Sequence, residues 1–551
     1  MKKQTFIFSS AILILSAVVS KLIGAMFRIP LANMLGGTGM GYFSSAYGIF
    51  MAVYALSVTG LPTAVAKLVA ENSALGRYSN IRKIKSSSVI FFGTMGLVFA
   101  IILASCAYPF CHFTSGIETV PSVIMIAPSI FFCCITSVYR GYYEGLRNMF
   151  PTAISQIVEG TVKLIIGLSL CMYVIQNNER FDEICRFFGN CHITAVASAA
   201  AILGISLSSA AGTLFLIIRD KLSGDGLSTE QLNFSNAATI SDSSFCIIKQ
   251  LLKTALPIAA GALVTNLTSL IDLFTITHSL SKSVAANPDY FISISGTDNL
   301  SLIPNFLFGS FSGLAVTVFN LVPSFSNMFG KGVLPSLSEA FAANDRKSIL
   351  ENTEKAILST ALIAFPAGFG ISALSKNILQ FLFSSKPAEA EICTSSLSVL
   401  GIAVIFLCIS STAFSIIQAA GKPELPVKIM IAGVAVKFIG NIILVPIEKL
   451  NITGAALSTL ACYIVIFIPA TIMMIKLTKI DYKRIFILFC KLCYSSVMCS
   501  VFASLTEKAL SKAIDTSFVL FISIFIGVII YIFSTMLLGI FTKNTLKLLI
   551  S

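Results

Sequence analysis

Charge is scarce in this chain of 551 residues, where Asp, Glu, Lys and Arg together make up 11%. That is under half the usual share for a soluble domain. A soluble fold of this composition would have almost nothing to put on its surface. Hydrophobic residues make up 56%, and the mean hydropathy is +0.89, so the chain reads as a polytopic membrane protein. Tryptophan is absent, which leaves any aromatic belt to Tyr and Phe. The three histidines, His112, His192 and His278, are scattered near expected helix ends and give no metal site. No Walker A motif and no soluble segment large enough to hydrolyse ATP is present. No catalytic cluster appears, so neither an enzyme nor a cofactor is expected. Any driving force must be an ion gradient, with Na⁺ or H⁺ the candidates, the membrane potential or the substrate gradient.

The 14 cysteines do not read as a disulfide framework, because most lie in apolar runs and act there as small packing residues. Cys490 and Cys493 form a CxxC on an expected membrane helix without a second pair. Cys185 and Cys191 share a loop, and whether they pair stays open. The net charge of +13 is not read as nucleic-acid binding, because basic residues gather in cytoplasmic loops for reasons of topology.

Apolar runs of about 20 residues give fourteen expected spans, at 5–27, 41–69, 87–110, 121–143, 151–175, 194–218, 251–278, 304–327, 355–375, 393–419, 426–447, 453–475, 485–506 and 516–541. With the N-terminus inside, the inner segments hold 25 of the 38 basic residues and the outer loops hold 8. The bias predicts both termini in the cytoplasm of a cell whose cytoplasmic membrane the chain crosses.

The chain also repeats itself. Phe131 and Cys133 in IFFCCITS match Phe406 and Cys408 in IFLCISS, 275 residues on. Pro151 matches Pro426, Lys163 matches Lys437, and LPTAVAKLVAEN from Leu61 is echoed by LPSLSEAFAAN from Leu334. A nearly constant offset across several helices makes spans 1–6 and 7–12 parallel copies of one six-helix unit, an all-α arrangement with two extra C-terminal helices. The expected divisions are an N-lobe at 1–220, a cytoplasmic linker at 221–250, a C-lobe at 251–478 and the last two spans at 479–551. Prolines at Pro62, Pro257, Pro323, Pro366, Pro446 and Pro469 could loosen helices for rocking of the lobes, although membrane helices also simply tolerate proline.

A charge at mid-bilayer costs roughly 2.5–3.5 kcal/mol, so each needs a reason. Lys21 and Arg28, in SKLIGAMFRIP, lie seven residues apart on one helical stripe. Arg28 is either a substrate contact or an interfacial residue. Glu159 and Lys163 form an i,i+4 pair that could neutralise itself. Lys437 holds the matching place in the second copy, but Gly433 stands where its acid would be. Asp272 could pair with a lysine or bind a coupling ion. Lys491 is expected to snorkel, and Asn266 to bond between helices. The surplus of Lys21, Arg28, Lys163 and Lys437 over Glu159 and Asp272 suits an anionic substrate such as a phosphate or pyrophosphate headgroup.

The segments KLIGAMFRIPLANMLGGTGMGYFSSAYGIF, GLPTAVAKLVAE, YRGYYEGLRNMFPTAISQIVEGTVK and LPSLSEAFAANDRKSI resemble the stage V sporulation protein B family. That family lies in the multidrug/oligosaccharidyl-lipid/polysaccharide exporter superfamily, and the resemblance covers essentially the whole chain. It implies a flippase for undecaprenyl-pyrophosphate-linked saccharides, such as lipid II or a spore-cortex precursor. Lys21 and Arg28 occupy the region of the paired first-helix cations of lipid II flippases. Their spacing is one residue longer here, and no basic residue stands between Tyr42 and Ala66 to match a second-helix cation. The last two spans would then guide the polyprenyl tail. Membrane lipids and cell-wall synthesis enzymes are the expected partners. A cation-coupled multidrug exporter and a non-transporting cell-wall scaffold are the alternatives.

Overall fold

The computed structural model describes residues 6–113, 116–188, 191–224, 226–227, 243–511 and 516–540. The described residues are α-helical, with no strand among them. The expected linker at 221–250 and the terminal lysines Lys2, Lys3, Lys543 and Lys547 lie wholly or largely outside them. Among the described residues, twelve helices are long and apolar enough to cross a membrane. Every one of the fourteen expected spans falls on a helix, because one of the twelve, Leu15–Ala74, covers two of them and the shorter apolar Ile303–Phe319 marks the span at 304–327.

The chain divides into two compact units, Met1–Leu273 and Phe274–Ser551. The first begins with α1 (Phe6–Ser57), which is two helical arms joined at Gly36. Gly36 has φ 64° and ψ −174°, a region open to glycine and closed to other residues. The chain doubles back there. The rings of Phe27 and Phe43 lie 6.2 Å apart, whereas sixteen residues of straight helix would separate them by about 24 Å.

The span expected at 41–69 is broken: α1 ends at Ser57 and α2 (Leu61–Ala74) starts after a turn. Pro62 sits in the first turn of α2, where its missing N–H costs nothing. Helices α3 (Tyr78–Ser105), α4 (Ala107–Phe113) and α5 (Val120–Gly145) follow. Next come α6 (Phe150–Val162), a π-helical turn at Lys163–Gly167, and α7 (Leu168–Gln176). The unit continues through α8 (Asn178–Phe187), α9 (Ile193–Ser223) and the first part of α10 (Ser244–Ala286). Helix α5 is the hub, packed on α2, α3 and α9. Close approach is bought with small residues: a Cβ on Gly145 would lie 2.7 Å from the Ala66 carbonyl oxygen. Hydroxyl pairs tie α5 to α9, Ser122 to Ser198 at 3.1 Å and Thr136 to Thr213 at 2.8 Å.

The second unit holds the rest of α10, α11 (Pro288–Ser295), α12 (Ile303–Ser310), a second π-helical turn at Phe311–Ala315, and α13 (Val316–Ala342). After these come α14 (Arg346–Ala373), α15 (Ser375–Leu382), α16 (Pro387–Ala419), α17 (Glu424–Leu444) and α18 (Asn451–Thr478). Here α16 is the hub, packed on α13, α14 and α18, and α17 lies on α18. The helices matched by the sequence repeat therefore keep the same neighbours within each unit. The final helices, α19 (Tyr482–Leu510) and α20 (Thr516–Leu537), pack on each other and on α14. Tyr531 donates to the Leu362 carbonyl at 3.0 Å, and Ser534 to Ser495 at 3.0 Å.

Candidate functional site

The first arm of α1 lies along α6 and the π-turn. Ser16 donates to Gln156 at 3.2 Å, and Gly160 and Gly167 make room for Ile23 and Phe27. This seating carries Arg28 to Lys163. Both side chains are half-buried, and each cation lies within electrostatic reach of the other. The Lys163 ammonium sits 5.4 Å from the centre of the Phe27 ring, a cation–π contact. Lys163 opens the π-turn, a break in the regular ladder of the kind often found at functional sites.

Glu159, one turn earlier, does not make its ion pair with Lys163. It pairs with Arg140 of α5, Nη2 to Oε1 at 2.9 Å. Arg140 Nε donates to Ser155 Oγ at 2.9 Å, and the Ser155 hydroxyl donates in turn to the Thr152 carbonyl at 2.8 Å. The Glu159 carboxylate rests against Gly212 of α9, where an added Cβ would collide with it.

Arg140 was not singled out from sequence, although the expected span at 121–143 contains it. It stands in α5, which runs on through Gly141 to Gly145. The charge gave the signal, but its place near the end of an apolar run hid it. Tyr47 and Tyr54 were also missed. They stand seven residues apart on one face of the second arm of α1, Tyr47 within electrostatic reach of Arg28 and Tyr54 of Arg140 and Glu159.

The other candidates are placed as follows. Lys21 is exposed on α1, and Asp272 is half-buried on α10 in the same unit. Lys437 belongs to the second unit, on α17, and is only 5% exposed. Asn441, one turn beyond it, donates to Thr275 at 2.8 Å. Gly433, which stands where the first copy has Glu159, is occupied by close packing: an added Cβ would meet Ile466 and Cys462. Lys491 does not simply snorkel, because it donates to the Leu538 carbonyl at 2.8 Å, just past the end of α20. Asn266 donates to Ala262 within its own helix at 2.9 Å rather than across to another. Among the described residues, no group of three or more His, Cys, Asp or Glu side chains is placed to hold a metal ion.

Glu159 thus holds Arg140 and stands one turn from Lys163, and Lys163 in turn lies within electrostatic reach of Arg28. Arg28 Nε and Arg140 Nη2 are buried without a hydrogen-bond partner among the described residues. Donors of this kind can receive an anion.

Fold and site together define a multi-pass membrane transporter of the multidrug/oligosaccharidyl-lipid/polysaccharide exporter superfamily. The chain belongs to the polysaccharide biosynthesis protein family, whose model matches residues 8–341. A MatE model matches residues 310–443. The chain is similar to "Lipid II flippase MurJ" of Bacillus subtilis (strain 168), at 24% identity over 484 residues, covering 86% of this chain and 83% of that protein. It is also similar to "Stage V sporulation protein B" of the same organism, at 24% over 363 residues, covering 65% of this chain and 62% of that protein. Among solved structures, a lipid II flippase MurJ in an inward closed conformation shares the fold, with a TM-score of 0.65, 17% identity, and coverage of 97% of this chain and 98% of that one. An inward-facing multidrug resistance MATE family transporter shares it at a TM-score of 0.56 and 14% identity, covering 84% of this chain and 96% of that one.

Proposed function

We propose that the protein flips an undecaprenyl-pyrophosphate-linked saccharide, lipid II or a related cell-wall or spore-cortex precursor, across the cytoplasmic membrane by alternating access. The observation that carries this reading is a cluster in which Arg28 neighbours Lys163, Lys163 neighbours Glu159 and Glu159 pairs with Arg140, three cations to one carboxylate. Such an excess of buried positive charge is costly unless an anion completes it. The similarity to a lipid II flippase supports the choice of lipid. In this reading Arg28 and Lys163 grip the pyrophosphate, Lys21 adds positive charge in the first unit, Lys437 is the cation offered by the second, and the polyprenyl tail stays in lipid along α19 and α20. Asp272 is the place for a coupling Na⁺ or H⁺, and both termini lie in the cytoplasm.

The MatE match and the MATE-like fold favour a second reading, a multidrug exporter. A cationic drug would be repelled by three clustered cations, so this reading ranks below the first. Depletion of the protein in cells should leave lipid II accumulating in the inner leaflet, read by its accessibility to an externally added probe. Unchanged accessibility in depleted cells, with altered drug susceptibility on overexpression, would support the exporter instead.

A further inference from the structure

We infer that Arg140 is a further ligand for the anionic group of the substrate, covered by Glu159 until that group arrives. The inference rests on the flippase reading and adds a residue and an exchange step to it.

Six side chains form a cluster of electrostatic neighbours. Glu159 holds Arg140 at 2.9 Å, Lys163 follows Glu159 by one turn and sits 5.4 Å from the Phe27 ring beside Arg28, and Tyr47 and Tyr54 lie within electrostatic reach of Arg28 and of the Arg140–Glu159 pair. Arg140 therefore belongs to the same site as Arg28, although it comes from a different helix. Among the described residues this cluster holds three cations and one carboxylate, a net charge of +2. A diphosphate group, with an ionised oxygen on each phosphorus, balances that charge. A single carboxylate or monoanion does not.

The Arg140–Glu159 pair is built to open. Arg140 Nη2 lies 2.9 Å from the carboxylate yet lacks hydrogen-bond geometry to it. A buried pair contributes stability only when its geometry is good and its remaining donors are satisfied. Ser155 meanwhile fixes Nε, and the Thr152 carbonyl fixes Ser155, so the guanidinium stays oriented whichever anion it faces. Glu159 rests against Gly212 and stands one turn before the π-turn at Lys163. Phosphate oxygens accept from arginine as a bidentate fork better than a misaligned carboxylate does. The exchange breaks no covalent bond: the guanidinium passes from Glu159 to phosphate, and Glu159 is left beside Lys163.

The test is the affinity of the purified full chain in nanodiscs for a short-chain polyprenyl pyrophosphate, with inorganic pyrophosphate as the headgroup-only arm. Arg140→Gln should weaken binding by about tenfold or more, and Arg140→Lys by less, since it keeps the charge and loses the fork. Glu159→Gln should tighten binding several-fold, because the competing anion is gone. A purely structural ion pair predicts instead that Arg140→Gln and Glu159→Gln weaken binding together. Unchanged binding in Arg140→Gln, or unchanged or weaker binding in Glu159→Gln, overturns the inference. If Arg28→Gln weakens binding while Arg140→Gln does not, the inference falls and the flippase reading stands. If the wild type binds neither probe, both fall.

Discussion

Arg28 and Lys163 were legible as candidates because a charge inside an apolar run must be explained. Their meeting was not legible, since it depends on the α1 hairpin and on Gly160 of α6 and Gly167 of the π-turn, which admit Ile23 and Phe27. The Glu159–Lys163 spacing pointed to the wrong pair. An i,i+4 acid and base attract by only about 0.2–0.5 kcal/mol on an exposed helix, and a nearer guanidinium from α5 wins. Arg140 could not be ranked from sequence, because a cation at the end of a span reads as a loop charge. Gly212 is the residue whose role packing alone reveals. Gly212→Ala should lower stability by about 1–3 kcal/mol, the usual cost of overpacking, by pushing the Glu159 carboxylate off its seat. Gly24→Ala is the control, since a Cβ there meets nothing within 4 Å, and it should be neutral or slightly stabilising. Thermal unfolding of the two variants in detergent reads the difference.

Element limits were legible wherever a single apolar run makes a single helix, as in α5, α9, α16 and α18. The π-turns carry no sequence period and were not foreseen. The break after Ser57 was missed because the apolar run continues through it, with only Gly60 and Pro62 to mark it. The reversal at Gly36 is the element on which the site depends most. Gly36→Ala should cost roughly 1–3 kcal/mol, since no other residue holds that backbone without strain. It should also part Phe27 from Phe43, and unfolding midpoints with a fluorescence distance across the hairpin would show both.

Asp345 caps α14, accepting from the Lys347 and Ser348 amides at 3.1 and 3.3 Å and from the Ser348 hydroxyl at 2.6 Å. The Ser348 bonds, hydroxyl first, hold its carboxyl below the usual range. A depressed carboxylate stabilises the fold fully above its unfolded value, about 3.9, and loses that contribution as pH falls through the lower folded value. Hydrogen exchange at Lys347 and Ser348 should therefore stay slow at neutral pH and, corrected for the intrinsic rate, quicken only as pH drops below about 4. Asp345→Ala should quicken it at every pH.

For the whole molecule, composition and run length gave the all-α membrane class, and the constant offset gave the two copies. The repeat was readable because it rests on residues that packing requires: in each unit the hub helix has the same matched neighbours. The functional asymmetry between the copies was readable too, in Gly433 opposite Glu159, but its cause appears only in the contact of Gly433 with Ile466. Lys437 accordingly keeps a cation where the first unit keeps a cation and an acid. The central claim is that a basic cluster in the first unit carries a pyrophosphate-linked lipid across the membrane. Translocation of fluorescent lipid II in liposomes holding the purified protein tests this most directly. The account predicts transfer between leaflets by the wild type and a loss of about tenfold or more in Arg28→Gln and Lys163→Gln variants that reconstitute normally. A wild type that moves no lipid II, or variants that move it at the wild-type rate, would contradict it.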